Sequence, residues 1–228
     1  MKLEPLGDSA VVATLEGQVD AALLARVTGL ARAIGASAAR GIMDVVPAYS
    51  SVTVFYDPLH VAEPGDDAYA RVCGVIESCA AQAAAGPEPE GRLVEIPVCY
   101  GGLHGPDLDH VAAQCGLTQA EVVALHWGAS YLVHAIGFTP GFPYLGGLPA
   151  QLSTPRRERP REKVAPGSVG IGGSQTGVYP LASPGGWQII GCTPLALFDA
   201  RREHAALLAP GDRVLFKPIT QAQFESWK

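Results

Sequence analysis

The chain has 228 residues, of which 48% are hydrophobic and 17% charged, a balance that suits a folded core and excludes a disordered segment. A formal net charge of −6 argues against a general nucleic-acid or anionic-membrane binder, and no window approaches the ~18 uninterrupted apolar residues of a membrane span. Five cysteines (Cys73, Cys79, Cys99, Cys115 and Cys192) form no CxxC pair and read as reduced thiols of a cytoplasmic protein, in keeping with an N-terminus that lacks the apolar run of a signal peptide.

Residues 1–88 read as a small α+β domain. "DSAVVATLEG" alternates between glycines and predicts a strand. "QVDAALLARVTGLARAIG" puts Val19, Leu23, Val27, Leu30 and Ile34 at helical spacing, closed by Gly35. "GIMDVVPAYSSVTVFYDP" gives two strand-like runs around a turn at Pro47–Ser51, and "EPGDDAYARVCGVIESCAAQAAAG" a second helix opened by Asp66 or Asp67 and ended by Gly86. The order β-α-β-β-α, followed by the strand "RLVEIPV", fits a ferredoxin-like split βαβ sandwich. "AAAGPEPEG" (83–91) disfavours helix and sheet alike and reads as the linker.

Residues 89–228 form the second domain of this reading. Two short helices are expected after "RLVEIPVCYGG": "GPDLDHVAAQCG", closed by Gly116, and "TQAEVVALHWG", whose Thr118 and Glu121 make a capping box. The pair has the rhythm of a helix-turn-helix, but its second helix offers no Arg or Lys to reach bases or phosphates, so DNA binding is excluded. From Ser130 onward "SYLVHAIGF", "GSVGIGG", "GVYPLAS", "GWQIIGCTP" and "DRVLFKPI" are short β-prone runs cut by Gly and Pro turns, the pattern of an all-β barrel or sandwich.

Three segments of this half are candidates for chemistry. "GFTPGFPYLGGLP" (137–149) cannot form regular structure, and its frame of glycine and proline suits a stiff wall in which Phe138, Phe142 and Tyr144 line a pocket or an interface, with Tyr179 and Trp187 beside them. The same rings would serve equally as plugs of a barrel end. "TPRRERPREK" (154–163) packs five cations into eight positions; a solvated loop is one reading, and Arg156 or Arg161 gripping a carboxylate or phosphate is the other. "APGSVGIGGSQTGVYP" leads into more strand and not a helix, so it is no dinucleotide loop, and GxxxxGK[ST] is absent. Ser168, Gln175 and Thr176 remain there as donors suited to an anion or an amide, against the alternative of a plain hairpin. The six histidines form no metal-ligand set, and His126 is the candidate general base, with a hydrogen-bonded structural role as its alternative.

Taken together, "GFTPGFPYLGGLP", "VAPGSVGIGGSQTGVYPLASPGGWQIIG", "LLAPGDRVLFKPI" and, more loosely, "IPVCYGGLHGPDL" closely resemble the allophanate hydrolase subunit 1 family, a carboxyltransferase-domain family that includes the B component of bacterial 5-oxoprolinase and the histidine-kinase inhibitor KipI. The resemblance implies an α+β protein, a ferredoxin-like sandwich followed by a cyclophilin-like β-barrel. It implies a non-autonomous subunit of an ATP-dependent amide or lactam hydrolase, opening 5-oxo-L-proline to L-glutamate with a homologous subunit-2-type partner and a third oxoprolinase component. ATP enters through the resemblance alone. The alternative it carries is a KipI-like inhibitor that binds a histidine kinase through the barrel. In the enzyme reading Arg156 or Arg161 takes the substrate anion, Ser168, Gln175 and Thr176 orient the amide, and the aromatic residues form the walls. Two positions depart from the family pattern: Cys192 replaces the arginine of "IIGRTP", and Trp127 the serine after the helix histidine.

Overall fold

The computed structural model describes residues 1–63, 65–83 and 91–227. The chain divides into two compact units, Met1–Glu90 and Gly91–Lys228. The linker expected at 83–91 and the helix stop at Gly86 lie outside the described residues, apart from the ends of the former at 83 and 91.

In the first unit β1 (Lys2–Pro5), β2 (Ala10–Thr14), β3 (Ile42–Ala48) and β4 (Ser51–Tyr56) form an antiparallel sheet in the order β1-β2-β4-β3. Helix α1 (Ala21–Ala36) starts where the Asp20 carboxylate accepts from the Leu23 N–H at 2.8 Å. Val19 therefore precedes the helix and is exposed, a correction to the expected stripe, whereas Leu23, Val27, Leu30 and Ile34 are buried as that spacing predicts. After the single turn α2 (Pro58–Val61), Asp67 accepts from Tyr69 and Ala70 to open α3 (Ala68–Ala83). The two long helices cover one sheet face, with Val72 and Ile76 meeting Val11, Val52 and Val54. The strand order β2-β4-β3 is the split βαβ arrangement, and the fourth position falls to β1. The strand "RLVEIPV" goes elsewhere.

That strand, β5 (Leu93–Tyr100), belongs to a closed barrel with β6 (Ser130–Ile136), β7 (Pro143–Gly146), β9 (Ser168–Gly172), β10 (Gln175–Val178), β12 (Gln188–Cys192) and β13 (Arg213–Pro218), in the order β10-β7-β6-β13-β5-β12-β9. Closure removes the exposed edges that an open sheet of short strands would leave. Outside it lie the ribbon β8 (Arg161–Val164) with β11 (Ser183–Gly185), and α4 (Leu108–Cys115), α5 (Gln119–Gly128) and α6 (Gln221–Glu225). Both arms of the Thr118–Glu121 capping box are made, and Gly116 closes α4 at φ +67°. The architecture is a ferredoxin-like sandwich followed by a cyclophilin-like barrel. Among the described residues no helix is long and apolar enough to cross a membrane.

Candidate functional site

The strand-breaking segment 137–149 opens with a strained turn. The Thr139 N–H donates to the Gly137 carbonyl at 2.8 Å across Phe138, which holds φ +66°. That is a γ-turn of the rare positive-φ kind, and a bulky side chain adopts it only where its surroundings enforce it. Phe138 is 63% exposed on this turn, its ring edge-on to buried Phe142 at 5.6 Å. Phe142 in turn meets Tyr144, Tyr179 and Trp187 edge to face, with centroids 5.0, 5.1 and 5.5 Å away.

The glycines of β9 make room for Trp187, and Gly177 of β10 for Trp187 together with the Pro143 carbonyl. A Cβ on Gly172 would lie 2.6 Å from the indole Cε2, and one on Gly177 would lie 3.0 Å from Cζ3. "GIGGSQTG" is thus a hairpin turning at Gly173 and Ser174, its bare backbone covered by an indole. It is no phosphate cradle. The glycine loop 101–105 ahead of α4 is no better suited, because the Gly101, His104 and Gly105 N–H groups, and those of Asp107 and Leu108 at the helix start, already donate to backbone carbonyls. Neither glycine segment fits a nucleotide's phosphates.

The arginine run is anchored by a residue that sequence reasoning missed. Asp107 is 4% exposed; its Oδ1 accepts from Arg157 Nη1 at 3.0 Å and Arg161 Nη2 at 2.7 Å, and its Oδ2 from the Ile189 N–H at 2.6 Å. The Arg157 N–H donates to the Gly186 carbonyl at 2.7 Å, and the Gln188 side chain to the Pro155 carbonyl at 3.0 Å. The loop is therefore pinned along its length. Arg156 projects over Trp187, 5.8 Å from the ring centroid.

These parts enclose a cleft of about 360 Å³ lined by Phe138, Phe142, Tyr144, Tyr179, Trp187, Arg156, Arg157, Pro160 and Pro184–Gly186. All five expected wall residues and one of the two expected arginines meet there. Burial pushes the Tyr179 phenol up, with the Trp187 backbone and the nearby arginines working the other way. Behind the arginine loop lies a polar depression of about 510 Å³, lined by His110, Gln114, Pro155, Arg156, Arg157, Glu158, Arg159 and Gln188.

The remaining expected site residues lie outside the aromatic cleft, each for a stated reason. Arg161 is turned to Asp107. Ser168 is buried at the start of β9, opposite Cys192. Gln175 is half-buried where β10 begins. Thr176 and His126 are fully buried in the barrel, where His126 Nε2 is 3.0 Å from Thr176 Oγ1, Nδ1 is 2.8 Å from the Tyr100 hydroxyl, and the ring stacks on Phe216 at 4.6 Å. Burial alone pushes the His126 pKa down to about 3. The signal for this was present: Val122 and His126, four apart, form the buried face of α5. Of the two family departures, Trp127 is 42% exposed on α5, while Cys192 is half-buried, its thiol raised by desolvation to about 11. Neither lines the cleft. Among the described residues no group of three His, Cys, Asp or Glu side chains is placed to hold a metal ion.

A family model described as carboxyltransferase domain, subdomain C and D, matches residues 1–208. The chain is 49% identical over 214 residues to the B component of 5-oxoprolinase from Escherichia coli O157:H7, covering 93% of this chain and 94% of that protein. It is 40% identical over 231 residues to the corresponding 5-oxoprolinase component of Bacillus subtilis (strain 168), covering 100% and 96%. Among solved structures, TTHA0988 superposes with a TM-score of 0.79 at 37% identity over 92% of this chain, which spans 40% of that longer one. The K. lactis urea amidolyase shares the fold at a TM-score of 0.74 and 20% identity, over 98% of this chain and 15% of that enzyme. The chain belongs to the carboxyltransferase domain family, subdomains C and D.

Proposed function

We propose that this chain is the B component of a 5-oxoprolinase, that it binds 5-oxo-L-proline in the aromatic cleft, and that it acts with a homologous second subunit and a third oxoprolinase component. The observation that carries the reading is what the cleft contains: the rings of Phe142, Tyr144 and Trp187 together with Arg156, whose guanidinium lies over Trp187. 5-Oxoproline is a small flat lactam with one carboxylate. Phe142, Tyr144 and Trp187 would cover the ring, and a guanidinium would take the carboxylate in two parallel hydrogen bonds. A volume of about 360 Å³ lies at the small end of ligand pockets, which run from ~300 to ~1,000 Å³.

The cleft lining also supports a non-autonomous role. It holds two phenols but no histidine, cysteine, serine or carboxylate, so nothing on it activates water toward an amide carbonyl. Opening a stable lactam to glutamate would use ATP to activate that carbonyl, and neither the 101–105 loop nor the hairpin at Gly172 and Gly173 suits the nucleotide. Its share of the work is to hold the lactam by its ring and its anion, leaving the amide toward a partner that brings the reacting groups.

Co-expression with the products of neighbouring oxoprolinase-type genes, followed by an assay of glutamate release, tests the reading. Release that depends on both ATP and 5-oxoproline and requires this chain is the expected result. An assembled complex that releases none, beside tight binding of the free chain to a histidine kinase, would move the assignment to the inhibitor branch.

A further inference from the structure

The two arginines of the cleft are not equivalent. Arg157 is committed: its guanidinium is held by Asp107 at 3.0 Å, that carboxylate is shared with Arg161, and its backbone is tied to Gly186. Arg156 has no carboxylate within ion-pair distance among the described residues, and its guanidinium lies over the Trp187 ring at the wall shared by the aromatic cleft and the polar depression. Two guanidiniums on one carboxylate leave a net positive charge, but the Arg157 fork is turned to Asp107, whereas a cation resting on an aromatic face keeps its donors for a third group. The planar guanidinium also presents parallel N–H groups, which an ammonium cannot do.

We infer that Arg156 is the specificity-determining residue of the cleft, selecting a lactam that bears one carboxylate over its uncharged counterpart, and that Arg157 is a positioning residue that moors the loop through Asp107. The inference rests on the 5-oxoproline reading and deepens it. Arg156 supplies the discriminating contact. Asp107, Arg157 and the Gly186 carbonyl keep that contact in register with the ring-binding wall, so loosening them loosens every ligand alike.

The test is isothermal titration of the full chain with 5-oxo-L-proline and with 2-pyrrolidinone, the same ring without the carboxylate, using wild type, R156Q, R156K and R157Q. Wild type should prefer 5-oxoproline by about 10–100-fold, the reach of one charge-assisted contact. In R156Q the preference should collapse to within about threefold because only the carboxylate ligand weakens, and R156K should recover part of it. R157Q should weaken both lactams together and leave their ratio intact. A preference that survives R156Q, or one abolished by R157Q alone, overturns the assignment of Arg156 while leaving 5-oxoproline as the ligand. A wild-type chain that binds neither lactam, alone or with its second subunit, overturns the 5-oxoproline reading and this inference together. Arg156 is exposed, so a melting curve unchanged in R156Q separates lost selectivity from lost fold.

Discussion

Replacing His126 with phenylalanine probes the polar chain inside the barrel. The Thr176 hydroxyl donates to the Gly170 carbonyl at 2.9 Å, so its oxygen accepts from His126 Nε2–H, and Nδ1 is left to accept from the Tyr100 hydroxyl. The ring is neutral, and every proton in the chain has a place. Unfolded, a histidine titrates near 6.5; buried here it titrates at about 3. Between those values the unfolded chain takes up a proton that the folded chain refuses. The stabilising contribution is therefore complete above about pH 6.5 and is lost as pH falls, at about 1.4 kcal/mol per unit, or about 2 kcal/mol by pH 5.

Phenylalanine keeps the stack on Phe216 but leaves the Tyr100 hydroxyl buried without its acceptor, which costs about 1–3 kcal/mol near neutral pH. The variant does not titrate at this position. The gap between wild type and His126→Phe should thus shrink by about 2 kcal/mol from pH 7 to pH 5, to within about 1 kcal/mol of zero on either side. His134, also lowered by burial, adds the same slope to both proteins and cancels in the difference. Urea unfolding followed by circular dichroism across this pH range measures the gap directly. A gap that stays constant would refute the buried neutral imidazole, and so would a wild-type His126 ring whose NMR shifts titrate near 6.5.

Gly172→Ala drives a methyl into the indole of Trp187 and should lower stability by about 1–3 kcal/mol, seen as a lower melting temperature with a shifted tryptophan emission. Asp107→Asn leaves Arg157 and Arg161 without their shared counter-charge; because both side chains are partly solvated, at 37% and 25% exposure, the loss should be about 1–2 kcal/mol by denaturant titration, and both lactams should bind more weakly. Phe138→Gly relieves the γ-turn, and that gain roughly offsets the added freedom of the unfolded chain, so stability should change by less than about 1 kcal/mol in a thermal melt while ligand affinity falls.

Much of the fold was legible because its signals are local. The Thr118–Glu121 pair sits at the start of α5 as its spacing requires, and the Gly and Pro punctuation after Ser130 separates short strands that close into one barrel. What was not legible depends on pairing at a distance. β1 is four mostly exposed residues, "KLEP", with little strand character; it is a strand because Leu3 pairs with Ala13 across a hairpin. Once β1 takes the edge beside β2, the strand after the linker is free to join the barrel, where it runs parallel to β13. Sequence order places "RLVEIPV" next to the first unit, but hydrogen bonding places it in the second.

The cleft divides along the same line. Its aromatic wall and its cations stand out in the sequence as candidates, because rings and guanidiniums are concentrated in breaker-rich segments, although composition alone left a barrel plug and a solvated loop open. What each group faces is set by residues far along the chain. Asp107 lies 50 residues before Arg157 and 54 before Arg161, in a helix-start position where a carboxylate usually caps; its side chain makes no cap bond and reaches the arginines instead. The glycines of β9 are the sharper case. They do signal that something approaches the backbone, and the reading in terms of an anion or amide follows from that signal. The approaching group is Trp187, a ring from this same chain, and with the indole seated on the glycines the binding surface moves from the backbone to the aromatic face above it. On the proposed reading, an anion at this site would be met by the Arg156 guanidinium over that face and not by the peptide N–H groups beneath.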